Sequence, residues 1–209
     1  MAKQYLMKPH APYIIGVTGG IGSGKSVVSR LLRLMGVPVY DCDSEAKRLM
    51  HDSLAIRVAL TGLVGEGVYD SDGAIDKARL ASFLFSSNEH AQMVNAIVHP
   101  VVRADFKAWA HRAGKKIVAV ESAILFEAGM DADVNLVLAV CAPESLRLQR
   151  AVRRDKSNEA AIKSRMQRQM DEDDYASRAH HIILNDGAHS LIAQVASLLE
   201  RLEKTDIRG

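Results

Sequence analysis

Residues 19–26 constrain this chain more than any other segment. They read Gly19-Gly20-Ile21-Gly22-Ser23-Gly24-Lys25-Ser26 and fit the pattern G-x-x-x-x-G-K-[ST] in full. The motif works only between a strand and a helix. Here the apolar run 13–18 precedes it, and Val27, Val28, Leu31, Leu32, Leu34 and Met35 follow with helical spacing. Glycines at Gly20, Gly22 and Gly24 let the backbone close around an anion with its N–H groups pointing inward. The new helix adds its positive dipole end. Lys25 is placed to reach the terminal phosphates, and the Ser26 hydroxyl to ligate Mg²⁺. The plain alternative is a glycine-rich turn that happens to precede Lys-Ser, and the intact flanks weigh strongly against it. The expected ligand is a nucleoside triphosphate carried as its Mg²⁺ complex.

With 209 residues the chain has room for one large domain, residues 1–209, and for a small insertion within it. Apolar residues are 48% and charged residues 25%, as in ordinary globular proteins, and the formal charge of +2 offers no dedicated nucleic-acid surface. Cys42 and Cys141 make neither a disulfide framework nor a zinc site. No apolar run approaches the roughly 18 residues that a membrane span needs. Residues 1–12 lack a signal-peptide core and read as a loose extension. These features suggest a cytoplasmic protein without a membrane or nucleic-acid partner, monomeric or weakly self-associating.

Short apolar runs at 13–18, 37–40, 116–120, 134–140 and 181–184 read as strands. Helical patterns separate them at 25–35, at 43–49 with Asp43 or Ser44 as cap, from 143 to about 153, from a cap at Asn158 to near 170, and at 188–203. The last has Leu191, Ile192, Val195, Leu198, Leu199 and Leu202 on its apolar side. This alternation predicts an α/β fold, a three-layer arrangement with a five-stranded parallel sheet covered on both faces. Residues 53–113 break the pattern. Gly62, Gly65, Gly67 and Gly73 make the start loop-rich, Asp76 caps one helix, and a second spans 88–112 with an interruption at Pro100. Lying between strands two and three, this block is expected over the C-terminal edge of the sheet, where ligands bind. It reads as a helical acceptor-binding insertion.

Transfer of a phosphoryl group to an alcohol needs a group that orients the hydroxyl and takes its proton. Asp41 and Asp43, just past the second strand, are the candidates. They are two apart and would point the same way on an extended segment. Glu121, at the end of the third strand, sits where a carboxylate helps hold Mg²⁺, and Ile124, Leu125 and Phe126 offer an apolar wall ending in Glu127. Arg147, Arg150, Arg153 and Arg154, followed by Arg165 and Arg168, suggest a lid over 147–170. Arginine clamps the transferring group bidentately, and Arg154 and Arg165 are the favoured pair. The plain alternative is a solvated basic helix face. Arg147 and Asn185 are assigned to the nucleotide, since the Asn185-Asp186-Gly187 turn after the last strand falls beside the first loop. His180-His181 suggests a metal pair, but without ligand-spaced partners a structural role is favoured.

Together these segments resemble the dephospho-coenzyme A kinase family. The resemblance rests on residues 18–26, on Asp41-Cys42-Asp43 with Ala46-Lys47-Arg48, and on Asp72-Gly73-Ala74-Ile75-Asp76-Lys77. It continues through Ile97-Val98-His99-Pro100, Ile124-Leu125-Phe126-Glu127, Arg153-Arg154-Asp155, Arg165 with Gln169, and Asn185-Asp186-Gly187. It implies ATP-dependent phosphorylation of the ribose 3′-hydroxyl of dephospho-coenzyme A, the last step in making coenzyme A. It further implies Asp43 as general base, residues 22–27 including Val27 as the ATP loop, and His99, Leu125 and Glu127 on the acceptor side. Val27 stands where the family usually has Thr, which removes a hydroxyl contact. The rivals are a kinase of the same architecture acting on a nucleoside monophosphate or another metabolite, and a nucleotide-dependent regulatory binding protein.

Overall fold

The computed structural model describes residues 11–204. Most of the extension read at 1–12 lies outside the described residues. The chain divides into two compact units, one made of the chain up to Tyr40 and from Ala110 onward, the other of Asp41–Trp109.

The first unit is built on β1 (Tyr13–Thr18), β2 (Val39–Asp41), β3 (Ile117–Glu121), β4 (Leu136–Cys141) and β5 (His181–Leu184), in the order β2-β3-β1-β4-β5. β1 runs parallel to β3 and β4, and β4 parallel to β5. The central strand β1 is β-branched and increasingly buried along its length, as a strand covered on both faces must be. Its alternation sets the layers. Ile15 and Val17 join one core with Val28 and Leu32 of α1 (Lys25–Leu34) and Val195, Leu198 and Leu202 of the closing helix Leu191–Lys204. Gly16 faces the other way, where a Cβ would meet the Leu125 side chain at 2.9 Å. Ile192, expected on the apolar side of the closing helix, is exposed.

The α/β architecture agrees with the sequence, and several boundaries shift. The second strand starts at Val39 rather than 37, because Pro38 has no N–H for the ladder, though its carbonyl accepts Ala119 N–H at 2.8 Å. The fourth strand starts at Leu136 rather than 134, after a 3₁₀ turn at Met130–Asp133. β5 is an edge strand. The Gln194 side-chain amide pairs with both backbone groups of Leu184, at 2.9 Å each, and blunts that edge.

The second unit is helical. It holds α2 (Cys42–Asp52), α3 (Leu54–Val64), α4 (Lys77–Ser86) and most of α5 (Asn88–Arg112). The glycine-rich start is part helix and part loop: α3 takes in Gly62, with the Ser53 hydroxyl accepting Ile56 N–H, whereas Gly65, Gly67 and Gly73 fall in its C-terminal cap, a 3₁₀ turn at Glu66–Val68 and the turn beyond it. Asp76 caps α4 as expected, accepting from Ala78 and Arg79 N–H. α5 runs unbroken through Pro100. Proline there removes one i→i−4 hydrogen bond, and the turns on both sides carry the helix past it.

Candidate active site

Residues 19–24 link β1 to α1, which opens with Lys25 and Ser26, and Gly22 and Gly24 are among the positions where glycine is required. Gly24 is the left-handed cap of α1 (φ 100°, ψ 24°), and a Cβ there would meet Asn185 Nδ2 at 2.1 Å. Gly22 has φ 77°, and its Cβ would meet the Arg147 carbonyl oxygen at 2.1 Å. The loop is therefore packed closely by the chain around it. α1 has no acidic residue in its first turn, which leaves its positive end available to an anion.

Three side chains from later in the chain grip this loop. Asn185, after β5, donates its amide to the Ser23 carbonyl at 2.7 Å, so the turn after the last strand does lie beside the loop. Arg150 holds that asparagine by donating to its backbone carbonyl at 2.9 Å. Gln169 accepts Ile21 N–H at 2.7 Å. The Arg147 guanidinium lies over Gly20, where a Cβ would fall 2.2 Å from Nη1. Lys25 donates to the carbonyls of Gly19 and Gly20, at 2.7 and 3.1 Å, and so curls over the loop. Ser23 is buried within the loop, whereas Ser26 and Val27 are exposed at the start of α1.

The arginine-rich segment forms α6 (Glu144–Asp155), α7 (Glu159–Met166) and α8 (Glu172–Arg178). Asn158 caps α7 as expected, but α7 ends at Met166 rather than near 170, and α8 is an additional helix. Lys156 turns the chain between α6 and α7 with φ 49°. Arg154 and Arg165 come together on one carboxylate, Asp155, at 2.6 and 2.8 Å. Hydrogen bonds from Arg154 and then Arg165 lower the Asp155 pKa to about 2. Arg147 pairs with Glu172 of α8 at 3.1 Å, and burial raises the Glu172 pKa against the pull of that guanidinium.

Glu121 ends β3, Ser122 N–H donates to the Val17 carbonyl at 3.0 Å, and residues 123–129 form a run of turns. Leu125 is fully buried against Gly16, so it braces this segment from inside and does not present its side chain as a wall. Tyr175 of α8 is buried too, donates to the Ala123 carbonyl at 3.1 Å, and has its pKa pushed up to about 12 by desolvation. Glu127 adds to that shift, which places its charge near the phenol. His180 accepts Val137 N–H at 3.0 Å and is structural, and among the described residues no cluster of three or more His, Cys, Asp or Glu is arranged for a metal.

In the second unit, Asp41 is the N-cap of α2, and its carboxylate accepts Asp43 N–H, Ser44 N–H and the Ser44 hydroxyl at 3.1, 3.3 and 2.8 Å. The cap is thus Asp41, not Asp43 or Ser44. The segment is not extended past Asp41, so the two carboxylates do not line up as on a strand. Asp43 instead occupies the first turn of α2, with its backbone fixed by Asp41. His99 lies inside α5, and burial lowers its pKa.

Residues 13–190 match the family model for dephospho-CoA kinase. A dephospho-CoA kinase of Bacteroides fragilis (strain YCH46) is 46% identical over 186 residues, covering 88% of this chain and 90% of that one. The chain belongs to the dephospho-CoA kinase family. It is a kinase, and the reaction of that family is ATP-dependent phosphorylation of dephospho-coenzyme A, in coenzyme A biosynthesis. Among solved structures, TT1252 from Thermus thermophilus superposes with a TM-score of 0.81 at 32% identity, covering 96% of this chain and all of that one (100%). A dephospho-CoA kinase from Campylobacter jejuni, at 22% identity and TM-score 0.68 over 93% of this chain and 98% of that one, shares the fold. Among the described residues no helix is long and apolar enough to cross a membrane.

Gln169, which holds the loop, and Glu172, which pairs with Arg147, have no sequence signal for those roles. Glu172 falls in the acidic run Asp171-Glu172-Asp173-Asp174, which carries no motif. Gln169 stands at a position of the family resemblance that carries no stated task.

Proposed function

We propose that the enzyme transfers the γ-phosphoryl group of ATP to the ribose 3′-hydroxyl of dephospho-coenzyme A, with residues 19–27 as the donor site and Asp43 as general base. The hydroxyl oxygen forms a bond to the γ-phosphorus, the bond from that phosphorus to the β–γ bridging oxygen breaks, and ADP leaves. The hydroxyl proton passes to the Asp43 carboxylate. The observation that carries this reading is the loop itself: Asn185, Gln169 and Arg147 hold it in shape, and Lys25 is already folded over it.

In this reading, the helix end and the amides near Gly22, Ser23, Gly24 and Val27 receive the triphosphate, with Gly20 allowing close approach and Arg147 and Asn185 bordering the nucleotide. Lys25 leaves its loop carbonyls for the terminal phosphates. Arg154 and Arg165 exchange part of their pairing with Asp155 for the moving phosphoryl group, since both are exposed and share one carboxylate. The donor set fits Mg²⁺ brought in on the triphosphate. Mg²⁺ is held by few protein oxygens plus phosphates and waters, and the Ser26 hydroxyl, with Glu121 at the end of the strand paired to β1, would supply that kind of site. When bound, the ion neutralises phosphate charge. His99, Asp41 and Glu127 belong to the acceptor side, with Leu125 supporting Glu127 from the core. We further assign the protein to the cytoplasm as a monomer or weak homo-oligomer.

The test is a panel of phosphoryl acceptors, comprising dephospho-coenzyme A, AMP, UMP and shikimate, assayed side by side with Mg·ATP. Dephospho-coenzyme A is expected to give the highest kcat/KM. A higher value for any other acceptor overturns the substrate assignment while leaving the kinase architecture in place.

A further inference from the structure

The hydrogen bond from Ile21 N–H to Gln169 Oε1, at 2.7 Å, joins residues 148 positions apart. It engages the outer limb of the phosphate loop rather than its helix end. Gln169 is fixed from behind. The backbone turns tightly after α7, with Gln167, Arg168 and Gln169 N–H donating to the carbonyls of Lys163, Arg165 and Met166. The side chain that holds Ile21 is therefore locked to the same helix end that carries Arg165. It is bracketed on the loop side by Arg147, whose guanidinium lies over Gly20 and pairs with Glu172.

We propose that Gln169 is a positioning residue for phosphoryl transfer, holding the outer limb of the phosphate loop in register with the arginine-bearing end of α7. Its chemistry suits the place. An amide oxygen satisfies the Ile21 N–H without adding a negative charge beside a bound triphosphate, as a carboxylate would. Any displacement of α7 moves Gln169 with it, so loop shape and the position of Arg165 are linked by one neutral contact. This inference rests on the assignment of residues 19–27 to ATP.

The experiment compares Gln169→Met, which keeps the length and loses the acceptor, with Gln169→Glu, which keeps an acceptor and adds charge. Amide hydrogen exchange of Ile21 in the ligand-free protein, KM for both substrates, kcat and Tm are measured. Gln169→Met is expected to speed Ile21 exchange by about tenfold or more and to raise KM for ATP several-fold, with KM for dephospho-coenzyme A and Tm nearly unchanged. Gln169→Glu is expected to retain Ile21 protection while raising KM for ATP through its charge. Unchanged Ile21 exchange in Gln169→Met overturns the proposal. So does a lowered Tm with the KM for ATP unmoved, which marks a purely structural contact. A wild-type protein that phosphorylates none of the panel acceptors overturns the functional assignment instead, and the exchange measurement still decides whether Gln169 holds the loop.

Discussion

The phosphate loop and the carboxylates after β2 are held in place by opposite means. The loop is gripped by residues far along the chain: Gln169 is 148 and Asn185 is 162 positions from the loop residues they hold. Asp41 and Asp43 are set by neighbours no more than three positions away, through a helix cap. A local cap forms wherever α2 forms, and its loss costs about 1 kcal/mol. The loop's shape exists only after β5 has docked beside β4 and the α7–α8 segment has returned to β1. The phosphate loop is thus a product of the whole first unit, whereas the carboxylate pair is a product of one helix start. Changes in the two regions should therefore fail differently: through chemistry alone after β2, and through binding and stability together at the loop.

The largest effect is expected on the locally built side. Asp43→Asn should lower kcat by roughly 10²–10⁴-fold, because it removes a proton acceptor while keeping the side-chain shape. Tm and ATP affinity should stay near wild type, since the cap is made by Asp41 and the Asp43 backbone. Steady-state kinetics with an ATP-binding titration check this, and near-normal kcat would remove Asp43 from the role of base. The matching change in the loop is Gly24→Ala. It imposes a left-handed backbone on a residue with a Cβ and drives that Cβ into Asn185 Nδ2. Strain of about 1–3 kcal/mol is expected, visible as a lower Tm together with a KM for ATP raised by about tenfold or more. If Gly24→Ala lowers kcat while leaving both Tm and ATP affinity alone, the contrast between the two regions does not hold.

The same contrast explains what was legible in the sequence. β1 and β5 have the bounds that their apolar runs predict, and the caps at Asp76 and Asn158 are where short-range chemistry puts them. Features governed by a few neighbouring residues can be read from the sequence, with some errors. Pro100 looked like a break because its local cost is real, but a 25-residue helix has enough turns on either side to absorb it. Asp41 and Asp43 looked like a strand pair because nothing in the sequence shows that the strand stops at Asp41. α8 was missed for another reason. Its sequence is acidic, and its anchor is Tyr175, buried against a segment some fifty positions earlier, whose Ala123 carbonyl it reaches. The grip of Gln169 on Ile21 is of the same kind. It depends on where a crossover returns, which no local pattern encodes. The motif identified the loop, and only the fold shows what holds it.

The smallest expected effect concerns the arginine pair on Asp155, where the pairing is local in part and long-range in part. Asp155 ties Arg154, its neighbour, to Arg165 on the next helix, and these hydrogen bonds lower its pKa to about 2. A carboxylate whose folded pKa lies below its unfolded value, about 4, binds fewer protons when folded. Its contribution is therefore complete above about pH 4 and is lost as pH falls through the folded value. Both arginines are more than half exposed, so solvent and salt screen the pairs, and the total is expected at no more than about 1 kcal/mol. Thermal unfolding of wild type and Asp155→Asn should differ by a small, constant amount from pH 7 to pH 5. The gap should narrow as pH drops from 4 to 3 and shrink at every pH in high salt. A gap that widens on acidification would mean that Asp155 is held chiefly in its protonated form, and that the two arginines are not clasped by charge. If the gap follows the expected course, the Asp155 clasp has a third mode of construction: weaker than the loop's grip, less local than the α2 cap, and weak enough for the phosphate proposed above to compete for both arginines.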